Sequence, residues 1–263
     1  MKFNPQKYVP LDYRTWILGE KAREGINIKR LNILKPEEVK LLEATVPFQD
    51  QRDDPGQGEM VAYFAINLLH YYPEAVREIA VPTAICHDIG WYGGDPEAWN
   101  KAVQKARKCG NLQSLDSGDV RKVHQDKGAE MALELFQKLG YPSERYHQEC
   151  ADIIRDHDTR LKQTTPSGKV VRDSDYLWRV TLPCVKIYSD GLSPEKLIKE
   201  SEENALDKNP PFNLEKTSRQ IGRLELANTI FYKFPNESEE VLRNEYSKEF
   251  EQIKRFYNYP NKT

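Results

Sequence analysis

Cysteine is scarce and scattered in this chain. Cys86, Cys109, Cys150 and Cys184 form no Cys-x-x-Cys pair. That spacing argues against a disulfide framework and a zinc-thiolate site, and favours free thiols in a reducing compartment. No apolar run approaches the roughly 20 residues that span a bilayer. The opening Met-Lys-Phe-Asn-Pro-Gln-Lys carries no apolar secretion segment, so the expectation is a cytoplasmic protein. An excess of one charge is also missing. The net charge is −2, which implies neither a nucleic-acid polymer nor a membrane surface as a bulk electrostatic partner. A Gly-rich phosphate loop, a Gly-x-Ser-x-Gly elbow and a dinucleotide fingerprint are all absent, which sets aside kinase, esterase and dehydrogenase chemistry. Strand-like alternation is sparse and no repeat is evident.

What the chain does have is helical periodicity. Pro36-Glu37-Glu38 opens a short helix, with proline in the first turn and acids near its positive end. Gln49 to Gly58 reads as a loop, and Val61, Ala62, Phe64, Ala65, Leu68 and Leu69 recur at helical spacing. Pro73-Glu74 reads as the start of the next helix, kinked at Pro82 and ending at His87-Asp88. Residues 96–109 fit a basic amphipathic helix. Asp119 to Leu139 is a strong helix with Gly140 just past its end, and Pro142-Ser143-Glu144 begins another that reaches His157. Helices are further expected over 194–206, 214–233 and 238–257. The expectation is a mainly α protein with a single domain over 1–263. Its core covers about 55–180, with an N-terminal arm over 1–54 and C-terminal helices over 181–263. The charged helices after Asp190 read first as a solvated face and second as a partner or homodimer contact.

Three of the five histidines sit at ends or first turns of these helices. Adjacent helical side chains point about 100° apart, so His87 and Asp88 normally diverge. At a helix end that turns at Gly90 they can converge on one ion. The plain reading is a His favoured by the helix dipole and an Asp that caps the next turn. His124 begins a helix whose next turn, Gly128-Ala129, lets a neighbour come close; its plain reading is a surface His. His157 sits between Arg155 and Arg160, where a salt-bridged helix end is the ordinary explanation. Asp175 enters the apolar-aromatic Tyr176-Leu177-Trp178 and needs a partner, either a cation or Arg172 or Arg179. Together these residues supply three imidazoles and two carboxylates, a ligand inventory for one or two hard or borderline cations.

In this order the motifs resemble the HD-domain superfamily, a helical metal-dependent phosphohydrolase fold. His87-Asp88 is similar to its signature pair, His124 with Gly128-Ala129-Glu130 to the third His, Arg155-Asp156-His157 to the fourth, and Asp173-Ser174-Asp175 to the distal Asp element. The resemblance covers about residues 55–180 and implies an HD-like helical bundle. The family's first His is missing. Aligning on Met60-Val61-Ala62 puts Gln57 there, with Glu59 the nearby carboxylate alternative. By resemblance Asp88 bridges two divalent ions (Mn, Mg, Ni, Co or Fe). His87 and Asp175, with Gln57, hold one; His124 and His157 hold the other. Gln57 weakens or removes the first site. The resemblance implies a hydrolase of a small phosphate ester, nucleotides included, with Asp88, Lys127 and Arg155 as catalytic residues. Lys127, Arg160 and Arg172 are then the phosphate contacts, and Trp91 and Tyr92 flank a planar base. Two alternatives stay open. One is a di-iron oxygenase acting on a polyol or phosphonate, separable by iron content and oxygen uptake. The other is a non-catalytic binding module of the same fold.

Overall fold

Met60, Val61, Ala62, Phe64, Ala65, Ile66 and Leu68 leave no polar side on the helix they occupy, and a helix that is apolar all round must be enclosed. In the computed structural model this helix, α2 (Gln57–Leu69), is buried over nearly its whole length. The structure describes residues 8–14, 33–49, 56–93, 118–160, 162–206 and 212–258. The expected basic helix over 96–109, Trp16 of the N-terminal arm, Cys109 and Pro210-Pro211 lie outside the described residues. The protein is mainly α: among the described residues there are 11 helices and no strand.

Helix α1 (Pro36–Thr45) begins as its sequence dictates, with proline in the first turn and Glu38 reaching back to the Lys35 amide at 2.7 Å. Helix α3 (Arg77–Cys86) starts three to four residues later than Pro73-Glu74 suggests, because Val76 is extended and donates its amide to Ser167 Oγ at 3.0 Å. It runs continuously through Pro82 to the His-Asp pair. Helices α4 (Gly118–Leu139) and α5 (His147–Asp156) fall where the periodicity puts them, α5 entered by a 3₁₀ turn at Glu144–Tyr146. Helix α6 (Pro166–Trp178) starts at a proline and is capped by Thr165, whose hydroxyl accepts the Gly168 amide at 3.1 Å.

Four shorter helices and one long one complete the chain: α7 (Leu182–Tyr188), α8 (Pro194–Ser201), α9 (Glu215–Lys233), α10 (Ser238–Glu245) and α11 (Ser247–Phe256). The single helix expected over 238–257 is two. It breaks at Tyr246, whose ring is buried under Arg223 and whose hydroxyl donates to Glu202 at 2.7 Å. Helix α2 packs on α3 and α6, α4 packs on α5, and α9 carries α10 and α11. One apolar cluster joins them, from Tyr8 to Ile253. Cys86, Cys150 and Cys184 are free and buried. No helix among the described residues is long and apolar enough to cross a membrane.

The N-terminal segment is tied down by a buried polar group. Glu225 of α9 accepts from the Tyr8 hydroxyl at 2.6 Å, the Leu11 amide at 3.1 Å and Asn228 Nδ2 at 3.2 Å. Tyr63 of α2 donates to the Val9 carbonyl at 2.7 Å, and the Leu182 amide donates to the Tyr13 hydroxyl at 3.1 Å. The groups facing Glu225 are neutral tyrosines and amides. Burial therefore pushes its carboxyl from 4.5 up to about 7, with the hydrogen bonds opposing.

An acid with a raised folded pKa binds its proton more tightly in the native state. The stability it contributes is complete below about pH 4.5 and is lost as pH rises through about 7. Between pH 5 and pH 8 the stability of Glu225→Gln relative to the parent should therefore improve by about 2–3 kcal/mol. Urea unfolding of both proteins at the two pH values measures this difference, and an unchanged gap refutes it.

Candidate metal centre

The centre is assembled where two helices end and two others pass. Helix α3 delivers His87 at its C-cap and Asp88 just beyond, and α5 delivers His157 at its C-cap and Asp158 just beyond. Helix α4 contributes His124 and α6 contributes Asp175. The chain then turns through a 3₁₀ segment, Ile89–Gly93, that lies against α4. Two glycines permit that contact. A Cβ on Gly90 would collide with the His124 carbonyl oxygen and the Gly128 backbone nitrogen, and one on Gly128 would lie 3.3 Å from the Gly90 nitrogen. The small pair Gly128-Ala129 thus serves the close approach that its sequence suggests.

All three imidazoles are buried: His87 and His124 are 0% exposed and His157 is 1% exposed. His87 Nδ1 lies 2.8 Å from the Ala84 carbonyl, and His157 Nδ1 lies 2.7 Å from the Ile154 carbonyl. A carbonyl can only accept, so both Nδ1 atoms carry a proton, and Nε2 of each ring is the inward-facing atom that can ligate a cation once it is deprotonated. The Nε2 atoms of His124 and His157 approach Asp88 Oδ1 at 3.4 and 3.3 Å, and Asp158 Oδ2 at 3.5 and 3.8 Å. His87 Nε2 lies 3.4 Å from Asp88 Oδ2 and 3.6 Å from Asp175 Oδ1.

Most of these separations are long for hydrogen bonds. His87 Nε2 and both nitrogens of His124 make none among the described residues. Two ligand atoms about 2.1 Å from one tetrahedral ion lie about 3.4 Å apart, which is the spacing seen here. The ligand atoms of Asp88, His124, His157 and Asp158 all fall within 4.8 Å of one another, so these four residues can hold one metal ion. The residues present therefore fit a divalent cation with mixed imidazole and carboxylate ligands.

The two sides of Asp88 are unequal. Oδ1 faces two imidazoles and the Asp158 carboxylate. Oδ2 faces one imidazole, backed by Asp175, and Gln57 at the start of α2 donates Nε2–H to Asp175 Oδ1 at 3.4 Å. A neutral amide therefore stands beside Asp175. Glu59, the other candidate for this place, is buried two residues further into α2.

The electrostatics suit a cation. Burial alone would lower the pKa of His87, but Asp88 and Asp175 overcome it and hold the ring well above its usual value. Burial is likewise outweighed at His157 by Asp158 and Asp88. At His124 burial wins and the pKa is lowered. Asp158 and Asp175 stay ionised despite burial because the neighbouring histidines, and Arg121 for Asp158, hold their carboxyls low.

Asp158 is the ligand candidate that sequence reasoning did not select. Its signal was position: it follows His157 at a helix end, as Asp88 follows His87. Arg179, which the sequence offers as a partner for Asp175, forms no ion pair with it. It lies one turn beyond Asp175, and its guanidinium stacks 4.2 Å from the Tyr176 ring centroid. It makes no hydrogen bond or ion pair among the described residues. Burial would lower its pKa, but Tyr176, Asp175 and Asp158 raise it.

Other expected site residues go elsewhere. Lys127 is exposed and pairs with Glu130 at 3.2 Å, Arg155 pairs with Asp152 at 3.0 Å, and Arg160 pairs with Asp156 at 2.6 Å. These three lie on the outer faces or ends of their helices, away from the imidazoles. Arg172 is 2% exposed, donates to the His157 carbonyl and to the Tyr176 hydroxyl, and so braces a ligand instead of facing a phosphate. Trp91 is 7% exposed and is engaged with His124 and Asp88, leaving no open face for a base. The Tyr92 side chain lies outside the described residues. Asp173 accepts from the Asn213 and Leu214 amides at 2.8 and 2.9 Å and from Ser218 Oγ at 2.7 Å, so it anchors the start of α9. Of Asp173-Ser174-Asp175, only the last residue faces the centre.

No protein-family model, curated protein or solved structure matched the chain.

The Gly90 contact gives a direct test. Backbone atoms of α4 cannot yield as a flexible side chain can, so Gly90→Ala should cost about 3 kcal/mol or more. Thermal melting of the variant should fall by about 6–12 °C for a domain of this size. A melting point within a degree or two of the parent would show that the turn does not sit against α4 so closely.

Proposed function

We propose that the chain is a metal-dependent hydrolase of a small phosphate ester, built on an HD-domain-like bundle. The observation that carries this reading is the convergence of three inward-facing imidazoles and three carboxylates at metal-ligand spacing, with the Arg179 guanidinium, which makes no ion pair among the described residues, under the influence of Asp175 and Asp158. Asp88, His124, His157 and Asp158 would hold the principal divalent ion. His87, Asp175 and the Gln57 amide form a weaker second place. A bound ion of this kind supplies Lewis acidity and a water of lowered pKa.

The chain's own residues do the rest. Helix ends and carbonyl-bound Nδ1 atoms fix the imidazole lone pairs. Asp88, half-buried, presents one oxygen to each side of the centre. Arg179 offers fork-shaped donors to a phosphoryl oxygen, where positive charge stabilises the developing negative charge of the transition state. The Tyr176 ring packs against that guanidinium, 4.2 Å from ring centroid to Cζ. The substrate is a small phosphorylated molecule held by that cation, and the setting is the cytoplasm. The di-iron oxygenase alternative needs two strongly held irons, and Gln57 gives it less support than hydrolysis.

Elemental analysis after incubation with Mn(II), Co(II), Ni(II) or Fe(II) in turn tests the centre. The parent should retain close to one ion per chain. Asp158→Asn and His124→Ala should lose it, and Gln57→His should raise the content towards two. With Mn(II), phosphate release from a panel of nucleotides and sugar phosphates should fall at least about 10³-fold in Asp88→Asn. Arg179→Ala should chiefly raise KM for the best substrate, with Arg179→Lys recovering part of the loss. Retention of no ion by the parent overturns the metal centre. Iron accompanied by oxygen uptake and no phosphate release supports the oxygenase instead.

A further inference from the structure

Each imidazole of the centre needs something to hold its ring in the ligating orientation. In metal sites that something is usually a hydrogen bond from the second ring nitrogen. His87 and His157 have it, through the Ala84 and Ile154 carbonyls at 2.8 and 2.7 Å. His124 does not: both of its nitrogens lack a hydrogen bond among the described residues. It is nonetheless fully buried and directs Nε2 to Asp88 and Asp158 at 3.4 and 3.5 Å. The contact that does hold it is an aromatic one. The Trp91 indole lies on the His124 ring with a centroid separation of 3.8 Å and an interplanar angle of 12°. The same indole donates Nε1–H to Asp88 Oδ1 at 3.1 Å, the carboxylate oxygen that His124 and His157 share.

We propose that Trp91 is the positioning residue of this centre: its ring replaces the missing hydrogen bond of His124, and its N–H fixes Asp88 Oδ1. The inference rests on the reading of the centre as a metal site. Two physical consequences follow from the stack. An imidazole gains positive character when it ligates a cation, and the negative face of an indole stabilises such a ring more than a neutral one. Trp91 therefore favours the ligated state of His124, besides restricting its rotation. The indole also covers one face of His124. The stack is possible because the Gly90–Gly128 contact brings the 3₁₀ turn onto α4, with the indole one residue after Gly90.

The test compares Trp91→Leu, which keeps bulk without a π face, with Trp91→Phe, which keeps the face without the N–H. Co(II) is the probe, titrated against a competing chelator and followed by its visible ligand-field bands, with His124→Ala as the reference for a lost ligand. Circular dichroism and melting of the metal-free proteins establish that each variant folds. Trp91→Leu should bind Co(II) about 10–100-fold more weakly than the parent, with bands displaced towards those of His124→Ala. Trp91→Phe should recover most of the affinity and the parent's bands. Parent-like affinity and bands in Trp91→Leu overturn the proposal while leaving the metal centre standing. So does a Phe variant as weak as the Leu variant. A parent that takes up no Co(II) overturns both.

Discussion

The centre depends on one backbone contact, that of Gly90 with Gly128. After His87-Asp88 the chain must leave α3 and still return over α4, because His124 sits on α4 and has no sequence neighbour in the cluster. Two residues without Cβ atoms let the turn touch the helix backbone to backbone. From that contact follow the shared use of Asp88 by residues of three helices, the cover that Trp91 places on His124, and the burial of the whole group. Remove the approach and the His-Asp pair is an ordinary helix end, the reading that its sequence alone favours as strongly.

Burying three imidazoles and two or three carboxylates is costly unless their charges are matched. The molecule shows how it treats buried acids in general. Asp173 is pushed up to about 6 by burial, and two amides and a hydroxyl hold it in a purely structural role at the start of α9. Glu225 is pushed up to about 7 and ties the N-terminal segment to α9 through tyrosines and amides. The acids of the centre behave oppositely. Asp158 and Asp175 stay low because imidazoles face them, and His87 Nε2 and both nitrogens of His124 make no hydrogen bond among the described residues. The contrast separates a fold-holding carboxylate from one disposed to share a cation.

The centre is also lopsided. Asp88 Oδ1 looks onto two imidazoles and a second carboxylate, whereas Oδ2 looks onto one imidazole, with Asp175 and an amide behind it. A ligand set of that kind favours one firmly held ion over a matched pair. In the proposed reading, that asymmetry is the ground for preferring hydrolysis to oxygen chemistry. Arg179 adds a cation one helical turn beyond Asp175, close enough for Asp175 and Asp158 to raise its pKa.

Much of this was legible in the sequence, because helical periodicity is local. The periodic runs gave α2, α4 and α5, though α2 begins at Gln57 inside the expected loop and α5 at His147 after a 3₁₀ turn, and the pairing of His with Asp at a helix end pointed to His87, Asp88 and His157. Asp175 stood out because a charge in an apolar segment demands a partner. Other features depended on residues far apart in the chain. That Trp91 covers His124, that Arg172 braces the His157 carbonyl, and that Lys127, Arg155 and Arg160 pair outside the centre are facts of helix packing and rotation. Sequence spacing does not fix these. The break at Tyr246 likewise comes from Glu202 and Arg223, two helices away. The sequence by itself determined a mainly helical chain and an inventory of metal-ligand side chains, since both follow from residue type and local period. Only the tertiary structure decided which of those side chains meet, which ring is held by a stack in place of a hydrogen bond, and which oxygen of Asp88 has the richer company.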